Sequence, residues 1–173
     1  MLLAASLGPV EETYDFRREP TGDEYHRLIA VVSDLSGSLG VVLQHEPARL
    51  STAANSLLAR IEPWLLSDEQ VDSWPGTRRL PGSTIQLLTY SCVDQSMAAI
   101  QSAADGLYQW QHPELPEDLH FSRADGTVLL GNVAHEADAW LSLEPDEIDS
   151  VRAALPEIDR LVEVRAQLTI GGA

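Results

Sequence analysis

The residues of this chain best suited to chemistry are His120 and the cluster His135, Glu136 and Asp138. Imidazoles brought together from adjacent strands, with Asp138 as a third ligand, could hold a metal ion, and a small metal-dependent or hydrolytic enzyme would use these four residues. The spacing argues against it. Zinc proteases place His at i and i+4 with Glu between them so that both imidazoles share one helical face, and here position 139 is Ala. The surrounding sequence reads as strand, where neighbouring side chains point to opposite faces. The expectation is a partly buried histidine held by a hydrogen bond beside a solvated glutamate, with no metal and no cofactor.

Cys92 is the one cysteine, so no disulfide within the chain and no Cys-rich zinc site can form. It lies where a strand gives way to a helix, a place that can lower a thiol pKa, but no histidine partner is identifiable and a small core residue is the expected role. There is no Gly-rich phosphate loop, no G-x-S-x-G elbow and no lysine to form a Schiff base or clamp a phosphate. The reading therefore leans away from catalysis.

Charge is the dominant property. Asp and Glu number 27 against 11 Arg, a formal net charge of −16. Such a surface repels nucleic acid and attracts cationic partners. Thirteen of the acids fall in residues 113–163, against Arg123, Arg152 and Arg160. The candidate partner contacts are Glu117, Asp118, Glu136, Asp138, Asp146, Glu147 and Asp149. Trp110 joins them as an apolar anchor, because it stands in an aromatic and proline cluster with Tyr108, Pro113, Leu115 and Pro116 beside that acidic run.

The elements that must position these residues can be read from periodicity. Thr21 to Glu24 spells a capping box, followed by Tyr25, Leu28, Ile29, Val32 and Leu35 at helical spacing up to Gly37. Val41 to Leu43 reads as a short strand, and Pro47 to Glu62 as a second helix with Leu50, Ala54, Leu57, Leu58 and Ile61 on one face. Ser67 to Ser83, with its Pro-Gly pairs, reads as an exposed connection. Thr84 to Ser91 predicts a strand, and Asp94 could cap a third helix carrying Met97, Ile100, Ala104 and Leu107. Residues 119–143 predict an antiparallel meander, with Asp125-Gly126 as a type I′ hairpin turn. Pro145 suits the first position of a last helix, whose stripe of Ile148, Val151, Leu155, Ile158 and Val162 continues past a kink at Pro156.

The run from Trp110 through Gly126, followed by Leu129, Leu130 and Ala134 to Trp140, resembles a pattern in small uncharacterised actinobacterial proteins, some of which are similar to the immunity proteins of polymorphic toxin systems. The resemblance covers about 30 residues and implies a shared α+β fold and a toxin domain as one candidate partner.

Together these readings predict a single α+β domain over residues 11–165, an antiparallel sheet packed against about four helices, with flexible ends at 1–10 and 166–173. No apolar run approaches the roughly 20 residues of a membrane span, and Met1 to Gly8 lacks the basic flank of a signal peptide. The expected function is a non-catalytic, cytoplasmic, acidic binding protein, such as an immunity-type inhibitor of a basic toxin or other cationic protein. The alternatives are the small enzyme above and a structural or oligomerising protein.

Overall fold

Apolar residues spaced for helices and alternating residues spaced for strands have to bury their faces against one another, and here they do so in two layers. The computed structural model describes residues 10–44 and 49–166. Among them the chain runs β1 (Glu12–Phe16), α1 (Asp23–Leu35), β2 (Ser38–Leu43), α2 (Thr52–Ile61), β3 (Leu65–Val71), β4 (Ser73–Trp74), β5 (Thr77–Arg78) and β6 (Ile85–Ser91). It continues through α3 (Asp94–Gln101), β7 (Glu117–Ser122), β8 (Val128–Val133), β9 (Asp138–Leu143), α4 (Pro145–Ala154), α5 (Ile158–Leu161) and β10 (Val162–Val164). Eight strands form one antiparallel sheet in the order β10-β1-β9-β8-β7-β2-β6-β3, and β4 and β5 make a separate small hairpin. The fold is α+β. No helix among the described residues is long and apolar enough to cross a membrane.

The helices supply one side of the main core. Tyr25, Leu28, Ile29 and Val32 of α1, Ala54, Leu57 and Ile61 of α2, and Ile148 and Val151 of α4 pack with Leu39 and Val41 of β2, Leu119 and Phe121 of β7 and Leu141 of β9. Alternation then sends Val42 to the opposite face, where it packs with Ile85 and with Trp74 of the small hairpin. The hairpin therefore folds across the second face of the sheet. Its Gly76, at φ +80°, is close enough that a Cβ would meet Val133 at 2.6 Å and the Trp140 ring at 2.7 Å. The same ring lies over Gly131, where any Cβ would collide with it.

Several expectations need correcting. Residues 67–83 are not a plain connection, because they hold most of β3 and the β4–β5 hairpin. As an edge strand exposed on both faces, β3 shows no apolar alternation. Helix α1 begins at Asp23 with Gly22 in the cap position. Thr21 makes a bridge to Gly106 instead of capping, and Glu24 pairs with Arg18 at 2.7 Å. Val93 occupies the cap position of α3, and the helix ends at Gln101, short of Ala104 and Leu107. The last helical stripe breaks in two at Leu155, since a residue before proline is driven out of the α region, and Val162 belongs to β10. Strands β1 and β10 had no clear signal in the sequence. The flexible ends expected at 1–10 and 166–173 fall almost wholly on residues 1–9 and 167–173, outside the described residues, as does Pro47 of the second helix.

The meander is present as expected, but its turn is of a different type. The amide of Gly126 donates to the Arg123 carbonyl at 2.9 Å, that of Arg123 donates to the Thr127 carbonyl at 2.8 Å, and Gly126 has φ +87° while Asp125 stays at negative φ. This is a three-residue hairpin loop, a type I turn followed by glycine in the left-handed region. Asp125 accepts from the Thr127 amide and hydroxyl. A Cβ at position 126 would meet nothing within 4 Å, so only its backbone conformation constrains it. Gly126→Val is expected to destabilise the protein by roughly 1–3 kcal/mol in chemical denaturation, and Gly126→Asn by clearly less, because Asn tolerates left-handed φ. Equal losses for the two would show that the backbone conformation is not the constraint.

Candidate partner-binding site

The residues proposed for chemistry are not brought together. His120 lies on the second face of β7, nine-tenths buried, against Gly40, where an added Cβ would overlap the imidazole. Its Nδ1 sits 2.9 Å from the Asp118 carbonyl, and since a carbonyl only accepts, Nδ1 carries the proton. Burial holds this imidazole below its ordinary value of 6.5. His135 and Glu136 lie on an exposed 3-10 turn, 3.6 Å apart, and Asp138 is exposed at the start of β9. Among the described residues no three His, Cys, Asp or Glu side chains are grouped to hold a metal ion. Burial pushes the Cys92 thiol up to about 12, the reverse of an activated thiolate.

Of the expected partner contacts, Trp110 and Asp118 are corrected outright. Trp110 is fully buried in the main core, and its indole N–H donates to the Tyr25 hydroxyl at 3.0 Å, so it presents no surface. The aromatic cluster caps the core rather than a partner. Asp118 is also buried. Its carboxylate accepts from the Trp74 indole N–H at 2.8 Å and from the Ala134 amide at 2.9 Å, and its backbone is held at φ +54°. A buried carboxyl group needs such donors, and here they tie the β4–β5 hairpin to the end of β8.

Glu147 is likewise committed inside the fold. It receives two hydrogen bonds from Arg123, at 2.8 and 2.6 Å, and one from the Glu144 amide at 2.8 Å, which together hold the hairpin to the first turn of α4. The Arg123 guanidinium is the main reason its carboxyl titrates below the usual range. Glu117 is half-buried and bonded to Gln44, and burial raises its carboxyl above the ordinary value. Asp149 is exposed but paired with Arg152 at 3.8 Å. Only Glu136, Asp138 and Asp146 of the expected contacts are exposed without an arginine partner.

Much of the acidic C-terminal half is thus neutralised locally. Glu157 pairs with Arg27, Asp159 with Arg152 and Glu163 with Arg17. The uncompensated stretch lies elsewhere. Residues 61–77 contain Glu62, Asp68, Glu69 and Asp72 and no arginine, all four acids are exposed, and none forms an ion pair among the described residues. Asp68 accepts only from Gln86, at 2.8 Å. Asp68 and Glu62 both help raise the Tyr90 phenol, after burial, to about 12, which places their negative field on the same flank of the sheet. In the sequence these four acids were hidden by the larger count further on, and the signal that could have found them is the absence of any basic residue between Arg60 and Arg78.

Comparison with protein-family models, with curated proteins and with solved structures gives no match to this chain.

Two measurements check these placements. Trp110→Ala is expected to lower unfolding free energy by roughly 3–5 kcal/mol, as for other buried aromatics; an unchanged denaturation midpoint would return Trp110 to the surface. The buried His120 makes stability pH-dependent. Its folded pKa lies below 6.5, so the unfolded chain takes up the proton first, and stability present above pH 6.5 is lost as pH falls below it. Relative to His120→Gln, the native protein should lose up to about 1.4 kcal/mol for each pH unit below 6.5. Parallel stability profiles for the two proteins would contradict the burial of a neutral imidazole.

Proposed function

We propose that the protein is a non-catalytic cytoplasmic binding protein that engages a cationic protein through its acidic surface, as an immunity-type inhibitor would cover the basic cleft of a toxin domain. One observation carries the reading: four exposed acids over residues 62–72 have no ion-pair partner among the described residues, in a chain that pairs most of its arginines with its other acids. A field of one sign at an uncovered edge speeds encounter with an oppositely charged protein and makes that encounter salt-sensitive. A basic nuclease or other toxin acting on anions is the kind of partner such a field suits. Self-association through the same edge is opposed by like charge. The enzyme alternative has no support from His120, whose ring is packed against Gly40 and bonded to the Asp118 backbone.

Covalent cross-linking in the source cells, with identification of the linked chain, tests this. A basic protein is expected. Its association with the purified protein should slow about tenfold or more between low and physiological ionic strength. Reversing Asp68 and Glu69 to Lys should slow it comparably while leaving the melting temperature nearly unchanged. An acidic partner, or association indifferent to salt, would reject the reading.

A further inference from the structure

We propose that β3 accepts an extended basic segment of the partner as a ninth strand of the sheet. The inference rests on the acidic-binder reading and adds the mode of docking to it. Strand β3 pairs with β6 along Leu65–Val71 and ends the strand order, so its other edge has no backbone partner among the described residues. Alternate N–H and C=O groups along that edge are left pointing outward, a ready template for another strand.

Register places the charges on both sides of this template. Asp68 lies opposite Leu88, whose side chain belongs to the helix-covered core, and Glu69 lies opposite Leu87, which packs with the cluster on the second face. Side chains of an added strand also alternate between faces, so basic residues at two consecutive positions would each find a carboxylate. Leu66, at the register shift between Leu65 and Ser67, is 61% exposed and offers an apolar contact at one end.

The same charges decide against the other occupants. A second copy pairing with β3 across a two-fold axis would bring acidic residues against acidic residues, which disfavours the pair. The opposite edge of the sheet provides no equivalent site. Strand β10 has only three residues, and the charges around it are matched, Arg17 with Glu163 at 3.2 Å and Arg165 with Asp15 at 2.5 Å. Length and unmatched charge therefore coincide only at β3.

The probe is an end-blocked eight-residue peptide, Val-Arg-Arg-Val-Val-Arg-Arg-Val, whose consecutive arginines fall on opposite faces, compared with the same peptide N-methylated at two adjacent central amides. Methylation blocks hydrogen bonding on both peptide edges and keeps the charge. By fluorescence anisotropy at low salt, the unmodified peptide should bind, and methylation should weaken binding tenfold or more to the unaltered protein. Asp68→Lys with Glu69→Lys should abolish binding, and Asp146→Lys with Asp149→Lys should leave it within about twofold. Equal binding of the methylated peptide would overturn strand addition and leave the acidic-binder reading standing. Binding lost with the α4 pair but kept with the β3 pair would move the site off the edge. No binding of either peptide, alongside a cross-linked basic partner that still binds with salt sensitivity, would reject the strand and keep the partner.

Discussion

The buried carboxylate of Asp118 is the constraint on which the layout of the molecule turns. It draws in an indole N–H from Trp74 and a backbone amide from Ala134, two segments far apart in sequence, and it is held at positive φ to do so. Losing either donor would leave a buried carboxyl oxygen short of a hydrogen bond, a cost of about 1–3 kcal/mol in general. The chain leaving β3 is therefore committed to crossing the second face of the sheet, where Trp74 packs on Val42 and Ile85 and the turn at Gly76 fits against Val133 and Trp140. A hairpin anchored there cannot fold back along β3. The bare edge follows from where the chain is tied down.

Charge is arranged to match. A net charge of −16 on 173 residues would strain a compact state through self-repulsion, and arginines placed between elements relieve it. Arg27 joins α1 to Glu157 beside α5, and Arg123 joins the meander to Glu147 of α4. These pairs lie where helices meet one another or meet the sheet. Strand β3, exposed along most of both faces, has no such seam to close, and its acids form no ion pair among the described residues.

Sequence periodicity made legible what depends on one buried face. The first helix and the proline-led α4 show it as a stripe, because an element with one covered side must pattern, while β2 and the meander strands, buried on both faces, were legible instead as short apolar runs between turn residues. Strand β3 is exposed along most of both sides and held mainly by backbone pairing to β6, so Leu-Leu-Ser-Asp-Glu-Gln-Val shows no apolar pattern and the edge went unread. The candidate contacts in residues 113–163 were obscured by a similar effect. A linear count of acids favours residues 113–163, but a count cannot show that Glu147 faces Arg123 from another element, that Asp118 has left the surface, or that an aromatic cluster faces inward. Trp110 has the composition of an interface anchor and the burial of a core residue, and only the contact with Tyr25 separates the two.

The most direct measurement of the central claim is residue-resolved amide hydrogen exchange across residues 65–71 in the free protein. If β3 is an uncovered edge, protection should alternate: amides bonded to β6 should exchange slowly, and those between them should exchange close to the rate of an unstructured chain, while β2 is protected throughout. Uniform protection along β3 would mean that its outer edge is already occupied, and would contradict both the open edge and the docking mode built on it.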